Sequence, residues 1–294
     1  MSIVAISGRV QKSNTGKTTV VTTLFPLYDF AKNIGQDKVE VSLLLPPGVE
    51  PHSFEPKPSD IARISEADIF IYTGKFMEPW AVDIIKGFSG RNIKVVDSSA
   101  GIKMIPAVFH DADEPQGAFD PHIWLDFDNA KIMVDNIVQG LCEKDKANAY
   151  YYKKNGDEYK NALSNLDNRY RTGLANCKSK EIIYGGHYAF GYLAHRYGLQ
   201  YLAAQGLSPD AEPTAQDLVK LVEQIKKNNI RYIFYEELTS PKIAETLAGE
   251  TQAKMLLLNA AHNITKKDFE NKVSFVSIME NNLRNLKIGL QCTE

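Results

Sequence analysis

Three histidines each stand just beyond a short aliphatic run. His52 closes Pro46-Pro47-Gly48-Val49-Glu50-Pro51-His52, directly after a run ending at Leu45. His187 follows Tyr184-Gly185-Gly186, and His262 follows Met255-Leu256-Leu257-Leu258 by way of Asn259-Ala260-Ala261. A fourth, His122, lies in Asp120-Pro121-His122-Ile123-Trp124-Leu125-Asp126. Neutral imidazole nitrogens bind zinc and its neighbours in the metal series, so the chemistry these residues suggest is transition-metal binding. The carboxylates around His122 can accept the second ring N–H, which sets the tautomer and raises ligand basicity. His187 is expected at a helix start, where the positive helix end disfavours imidazolium. The other two histidines read as ordinary ones. His195 falls inside a helix expected over Tyr188–Tyr197, near the end that favours a charged ring, and His110 lies in an acidic loop.

The elements that position these residues alternate. Strand-like runs are Thr18–Leu24, Val39–Leu45, Asp68–Tyr72 and Ile93–Val96, then Glu181–Tyr184, Gln200–Ala203, Ile230–Tyr235, Lys254–Leu258 and Ser274–Val276. Helical stretches lie between them, opened by signals such as Ser59-Asp60 and Ser240-Pro241. This alternation predicts an α/β protein of two lobes, each a mainly parallel sheet flanked by helices. Ligands in such sheets bind beyond the carboxyl ends of the strands, where three of the histidines stand. Tyr159, Leu163, Leu166, Tyr170 and Leu174 form one helical stripe, so Ala147–Asn176 is expected as a single long, rigid helix joining the lobes. The alternative is two helices broken near Asn155-Gly156. The resulting division is a lead-in at 1–17, one lobe at 18–146, the linking helix at 147–177 and a second lobe at 178–294.

Composition narrows the class. The 294 residues are 44% hydrophobic and 24% charged, enough apolar mass for real cores. A formal net charge of -2 argues against a nucleic-acid partner. No apolar run reaches the 18 or so residues that span a bilayer. Cys142, Cys177 and Cys292 form no CxxC pair and are read as packing residues or free thiols, with one disulfide plus a leftover thiol as the alternative. Thr15-Gly16-Lys17-Thr18-Thr19 imitates a phosphate loop, but Gln11 occupies the first glycine position and a strand-like run follows. Residues 1–15 carry only a feeble version of a secretory signal. Two readings stand: a cytoplasmic protein, or one whose own signal has been replaced.

Five segments in order resemble the zinc- and manganese-binding receptors of bacterial ABC importers, over about Thr18 to Leu290. They are Leu45–His52 with Pro58-Ser59-Asp60, then Asp120–Asp126, Gly186-His187-Tyr188-Ala189-Phe190, Glu212-Pro213-Thr214, and Lys242–Ala248. The resemblance implies two lobes linked by one rigid helix with the metal between them. It implies delivery to a membrane permease driven by a separate ATPase, and an extracytoplasmic place as a periplasmic protein or lipid-anchored surface lipoprotein. A monomer is expected. The family's first three ligands map onto His52, His122 and His187, and histidine in the third place favours Zn2+ over Mn2+. The fourth position departs from the family pattern. Where relatives carry Asp this chain has Asn259, and where others carry Glu slightly further on it has His262. His262 is the expected fourth ligand, ahead of water and Asn259, with Glu237 and Glu50 behind and Asp120 as a supporting group. The long histidine-rich loop of some zinc receptors is replaced by the short acidic segment His110–Gly117.

Two other functions compete with a non-enzymatic receptor. A zinc hydrolase could use the same histidines with Glu50, Glu236 or Glu237 as base, although no HExxH motif is present. A surface adhesin is the other, as a role secondary to metal binding.

Overall fold

The computed structural model describes residues 16–107, 119–207, 209 and 212–293; residues 1–15 and the segment His110–Gly117 lie outside them. Two four-stranded parallel sheets form. The first contains β1 (Thr18–Thr22), β2 (Val39–Leu43), β3 (Ile69–Tyr72) and β4 (Lys94–Asp97) in the order β2-β1-β3-β4. The second contains β5 (Glu181–Tyr184), β6 (Gln200–Ala203), β7 (Tyr232–Tyr235) and β8 (Lys254–Leu257) in the matching order β6-β5-β7-β8. In both, the chain runs outward from the starting strand and then returns across it. That reversal opens a crevice at the strands' carboxyl ends, between β1 and β3 and between β5 and β7. Because Thr18 enters β1, the Gly16-Lys17-Thr18 stretch leads into a strand rather than a phosphate-binding helix.

Successive strand residues face opposite layers. On the outer side of the first sheet, Val21, Phe70 and Tyr72 pack on Ile64 of α2 (Pro58–Glu66) and Ala81 of α3 (Pro79–Lys86). The outer side of the second packs Ile183 and Ile233 on α7 (Ala215–Lys227) and α8 (Lys242–Thr251) through Leu221, Ile225, Ala244 and Leu247. The inner faces share one continuous core. Val20, Ile69 and Ile71 from one sheet and Ile182, Tyr184 and Phe234 from the other join it, with α1 (Phe25–Gly35), α4 (Phe127–Lys144), α5 (Ala149–Gly173) and α10 (Phe275–Gly289).

Helix α5 is unbroken through Asn155-Gly156. Asn155 Nδ2 donates to the carbonyl of Ile34 at 2.8 Å, satisfying an end of α1. Gly156 lets α4 approach, since a Cβ there would stand 2.5 Å from Val138 Cγ2.

Two expectations are corrected. Ser274–Val276 is not a strand: Ser274 caps α10, its hydroxyl accepting from Ser277 N, and Phe275, Ile278, Met279, Leu283 and Leu286 form a buried helical stripe. Nor are Cys177 and Cys292 free, because they form a disulfide across 115 residues. Helices α5 and α10 lie side by side and end together, with the Tyr170 hydroxyl donating to the carbonyl of Met279 at 2.6 Å. Only this packing brings the two thiols into reach, and Cys142 is left free.

Candidate metal centre

The site collects the loops at the carboxyl ends of both sheets. The first sheet sends His52 from the loop after β2 and His122 from the long connection after β4. The second sends His187 after β5, Glu236 and Glu237 after β7, and His262 after β8, three strands adjacent in the order β5-β7-β8. The opposing loops are stitched together. Asn263 Nδ2 donates to the carbonyls of Pro46 and Val49 at 2.8 and 2.7 Å, and Trp124 Nε1 donates to the carbonyl of Ala260 at 2.8 Å.

His52, His122 and His187 point their Nε2 atoms at one another. The His52–His122 and His187–His122 Nε2 separations are both 3.2 Å. His122 Nδ1 lies 2.8 Å from Asp120 Oδ1, which also accepts the His122 backbone N–H at 2.9 Å. With Nδ1 protonated toward that carboxylate, Nε2 carries the lone pair. On the opposite side Glu236 holds His187 similarly. Its Oε1 lies 2.8 Å from Nδ1, off the N–H direction, and its Oε2 accepts the His187 backbone N–H at 3.3 Å. Such lone pairs repel at 3.2 Å unless a cation lies between them, and adjacent nitrogens of a tetrahedral zinc site with bonds of ~2.0–2.1 Å stand about this far apart. His122, His187 and His262 are fully buried, while His52 keeps some exposure.

His262 is set back. Its ring centroid is 6.2 Å from that of His52 and 6.4 Å from that of His122, against 5.0–5.2 Å within the other three. Toward His187 it is nearer, at 5.4 Å. Both of its ring nitrogens are buried without a hydrogen-bond partner. Nε2 lies 3.7 Å from Glu236 Oε1 and Nδ1 lies 3.7 Å from Glu237 Oε1. Among the described residues, three overlapping sets of donor atoms lie close enough to hold one ion: His52, His122 and His187; Glu50, His52 and His262; and His187, Glu236 and His262.

The electrostatics favour neutral imidazole at three positions. Burial, and then the neighbouring His187, hold His52, His122 and His262 well below the ordinary histidine value. His187 differs: burial pulls it down, but the Glu236 carboxylate, helped by Glu50 and Asp120, outweighs burial and raises it. Burial pushes Asp120 up to about 7, against the His122 backbone bond, and lifts Glu237 well above the carboxylate range with the help of Glu236.

Of the remaining expected groups, Glu50 joins a donor set with His52 and His262, and the others are held by loop backbone. Asn259 Oδ1 accepts from Ala261 N at 2.7 Å, shaping a turn in which Ala261 takes a positive φ of 58° just before His262. The Asn259 amide oxygen is thus engaged in that turn. Glu50 Oε1 accepts from His52 N at 3.0 Å, and Glu237 Oε2 accepts from Ala260 N at 3.4 Å. The helix expected to begin at His187 begins instead at Gly191, as α6 (Gly191–Tyr197), so no helix end polarises His187 directly. His195 lies in the last turn of α6. Glu236 is the group that sequence reasoning undervalued, considered only as a hydrolytic base. Its place directly after the apolar run Ile230–Tyr235 was the available signal.

Comparison with known proteins shows the family. Residues 20–289 match the family described as zinc-uptake complex component A, periplasmic (ZnuA). The high-affinity zinc uptake system protein ZnuA of Bacillus subtilis is 40% identical over 281 residues, covering 93% of this chain and 88% of that protein. The zinc-binding lipoprotein AdcA of Streptococcus pneumoniae is 36% identical over 284 residues, covering 94% of this chain; the chain spans 56% of AdcA. The crystal structure of the Zn(II)-bound ZnuA-like domain of AdcA superimposes with a TM-score of 0.81 at 36% identity, covering 94% of this chain and 99% of that one. Fold and sequence agree over nearly the whole described chain, and the protein belongs to the ZnuA family of periplasmic zinc-uptake components.

Proposed function

We infer that this protein is an extracytoplasmic receptor that binds one zinc ion through His52, His122, His187 and His262. It passes the ion to the permease of an ABC importer driven by a separate ATPase. The convergence of three imidazole Nε2 atoms, two pairs of them 3.2 Å apart, carries the reading. Nitrogen donors favour zinc over manganese, which prefers oxygen. The names of the B. subtilis and S. pneumoniae relatives point to the same ion. His262 serves as fourth donor, with both ring nitrogens uncommitted. Asp120 and Glu236 orient His122 and His187. The lobes correspond to 18–146 and 178–294, with 147–177 as the rigid link. The receptor works as a monomer, held near the membrane by a lipid anchor or free in a periplasm.

The hydrolase alternative needs a carboxylate free to act as base toward bound water. Glu50 accepts from His52 N, Glu236 accepts from His187 N and Glu237 accepts from Ala260 N, so each is held by a loop that carries a histidine. The receptor reading therefore has no catalytic step. The test is elemental mass spectrometry of the purified protein beside His52→Ala, His122→Ala and His187→Ala. One zinc per chain is expected, with affinity lowered about tenfold or more in each variant, at least the effect of losing a supporting group. No retained metal and no thermal shift with added zinc would overturn the reading.

A further inference from the structure

The donor set His187, Glu236 and His262 comes entirely from the second sheet, from the carboxyl ends of the adjacent strands β5, β7 and β8. All three residues are buried, and one ligating atom of each lies within 4.8 Å of the others. Neither nitrogen of His262 has a hydrogen-bond partner, although the ring is fully buried. A buried polar ring left so is costly unless something occupies it. The neighbourhood is also built for close approach. Gly186 has no side chain, and a Cβ there would lie 2.6 Å from Glu236 Oε2. Glu236 can therefore lie against the backbone that leads into His187.

We propose that His187, Glu236 and His262 form a second, overlapping position for the metal, which holds a divalent zinc-like ion without any contribution from His52 or His122. The proposal rests on the receptor reading above. Two imidazoles and a carboxylate suit zinc as well as four imidazoles do, and the carboxylate offsets charge that the three-histidine set leaves uncompensated. Glu237, whose Oε1 lies 3.7 Å from His262 Nδ1, stands beside this position. Because His187 belongs to both sets, the positions are alternatives for one ion. The consequence is an ordered release: His52 and His122 let go first, and the second sheet retains the ion until the permease takes it.

The test uses the full chain carrying His52→Ala and His122→Ala together, titrated with zinc against a chromophoric chelator and with Co2+ by visible absorption. Circular dichroism confirms that each variant is folded. The double variant is expected to bind one ion per chain, at least tenfold more weakly than the parent, with an altered Co2+ spectrum. Adding Glu236→Gln or, in a separate protein, His262→Ala should abolish that residual binding. A folded double variant that binds no metal, beside a parent that does, overturns the second position and leaves the receptor reading intact. Residual binding indifferent to both Glu236 and His262 overturns it as well. A parent that binds no metal removes the receptor reading and this proposal with it.

Discussion

His122 and His187 are gripped alike from opposite sides of the site. In each case one carboxylate accepts the backbone N–H and lies 2.8 Å from the ring Nδ1; Asp120 makes a hydrogen bond there, whereas Glu236 Oε1 lies off the N–H direction. This arrangement leaves each Nε2 aimed inward with its lone pair available. It also sets the pH behaviour. His52, His122 and His262 resist protonation because they are buried, whereas Glu236 favours a proton on His187. As pH falls, His187 is the first imidazole for which protons compete with the metal. Zinc affinity is expected to fall about tenfold or more between pH 7 and about pH 5.5, measured by competition with a chelator of known pH dependence. A flat profile would contradict a histidine site.

Helix α5 is more than a strut, because its buried stripe is part of the shared core and its polar residues tie down α1. Asp29 of α1 accepts from the Tyr159 hydroxyl at 2.7 Å. Burial raises Asp29 to about 6, with the Tyr159 bond only partly opposing it. The folded chain therefore holds this proton more tightly than the unfolded chain does. The stability contributed by the protonated carboxyl is full below about pH 4 and is lost as pH rises through about 6. Asp29→Asn should remove that slope. Urea denaturation is expected to show the variant gaining up to about 2–3 kcal/mol relative to the parent between pH 4 and pH 7. Parallel pH profiles for parent and variant would refute the assignment.

Across the molecule, two devices hold distant parts in register. Arg196 of α6 meets Asp126 and Asp128 at the start of α4 and both carboxylate oxygens of Asp167 on α5, at 2.7–2.8 Å. Its side chain is only 7% exposed, and removing it leaves Asp167 with only the Tyr197 hydroxyl and the longer Arg171 contact. Arg196→Ala should cost roughly 1–3 kcal/mol in chemical denaturation, because Asp167 keeps part of its compensation. Lysine should restore only part of that, lacking the planar fork. A loss below about 0.5 kcal/mol, the usual scale for exposed pairs, would show the cluster to be solvated. The second device is the Cys177–Cys292 disulfide, which ties the chain after α10 to the end of α5. A bond of this kind persists in an oxidising compartment, in keeping with the extracytoplasmic role proposed. Closing so long a loop, Cys292→Ser is expected to lower stability by roughly 2–4 kcal/mol relative to the oxidised parent, and reduction should bring the parent down to the variant. Equal midpoints for oxidised parent and variant would rule the contribution out.

What the sequence by itself determined was largely local in origin. The strands Glu181–Tyr184 and Gln200–Ala203 were legible residue for residue, because each is a short apolar or β-branched run bounded by turn signals. The stripe Tyr159, Leu163, Leu166 and Tyr170 revealed α5, and the placement of His52, His187 and His262 after apolar runs revealed the face on which a ligand would bind. The tertiary structure decided what depends on residues far apart in the chain. It paired Cys177 with Cys292 because α5 and α10 end side by side. The helix start at Ser274–Val276 was also local, carried by the Ser274 cap and a stripe running to Leu286 that the short apolar run masked. Glu236 was set against His187, 49 residues away, by the adjacency of β5 and β7 and the missing side chain of Gly186. Asn259 was turned to its own loop by the backbone of Ala261, and His262 was set back beside the two glutamates. Local patterns encode which groups are present and which face they share, whereas the contacts that tune those groups arise only when the sheets bring separate loops together.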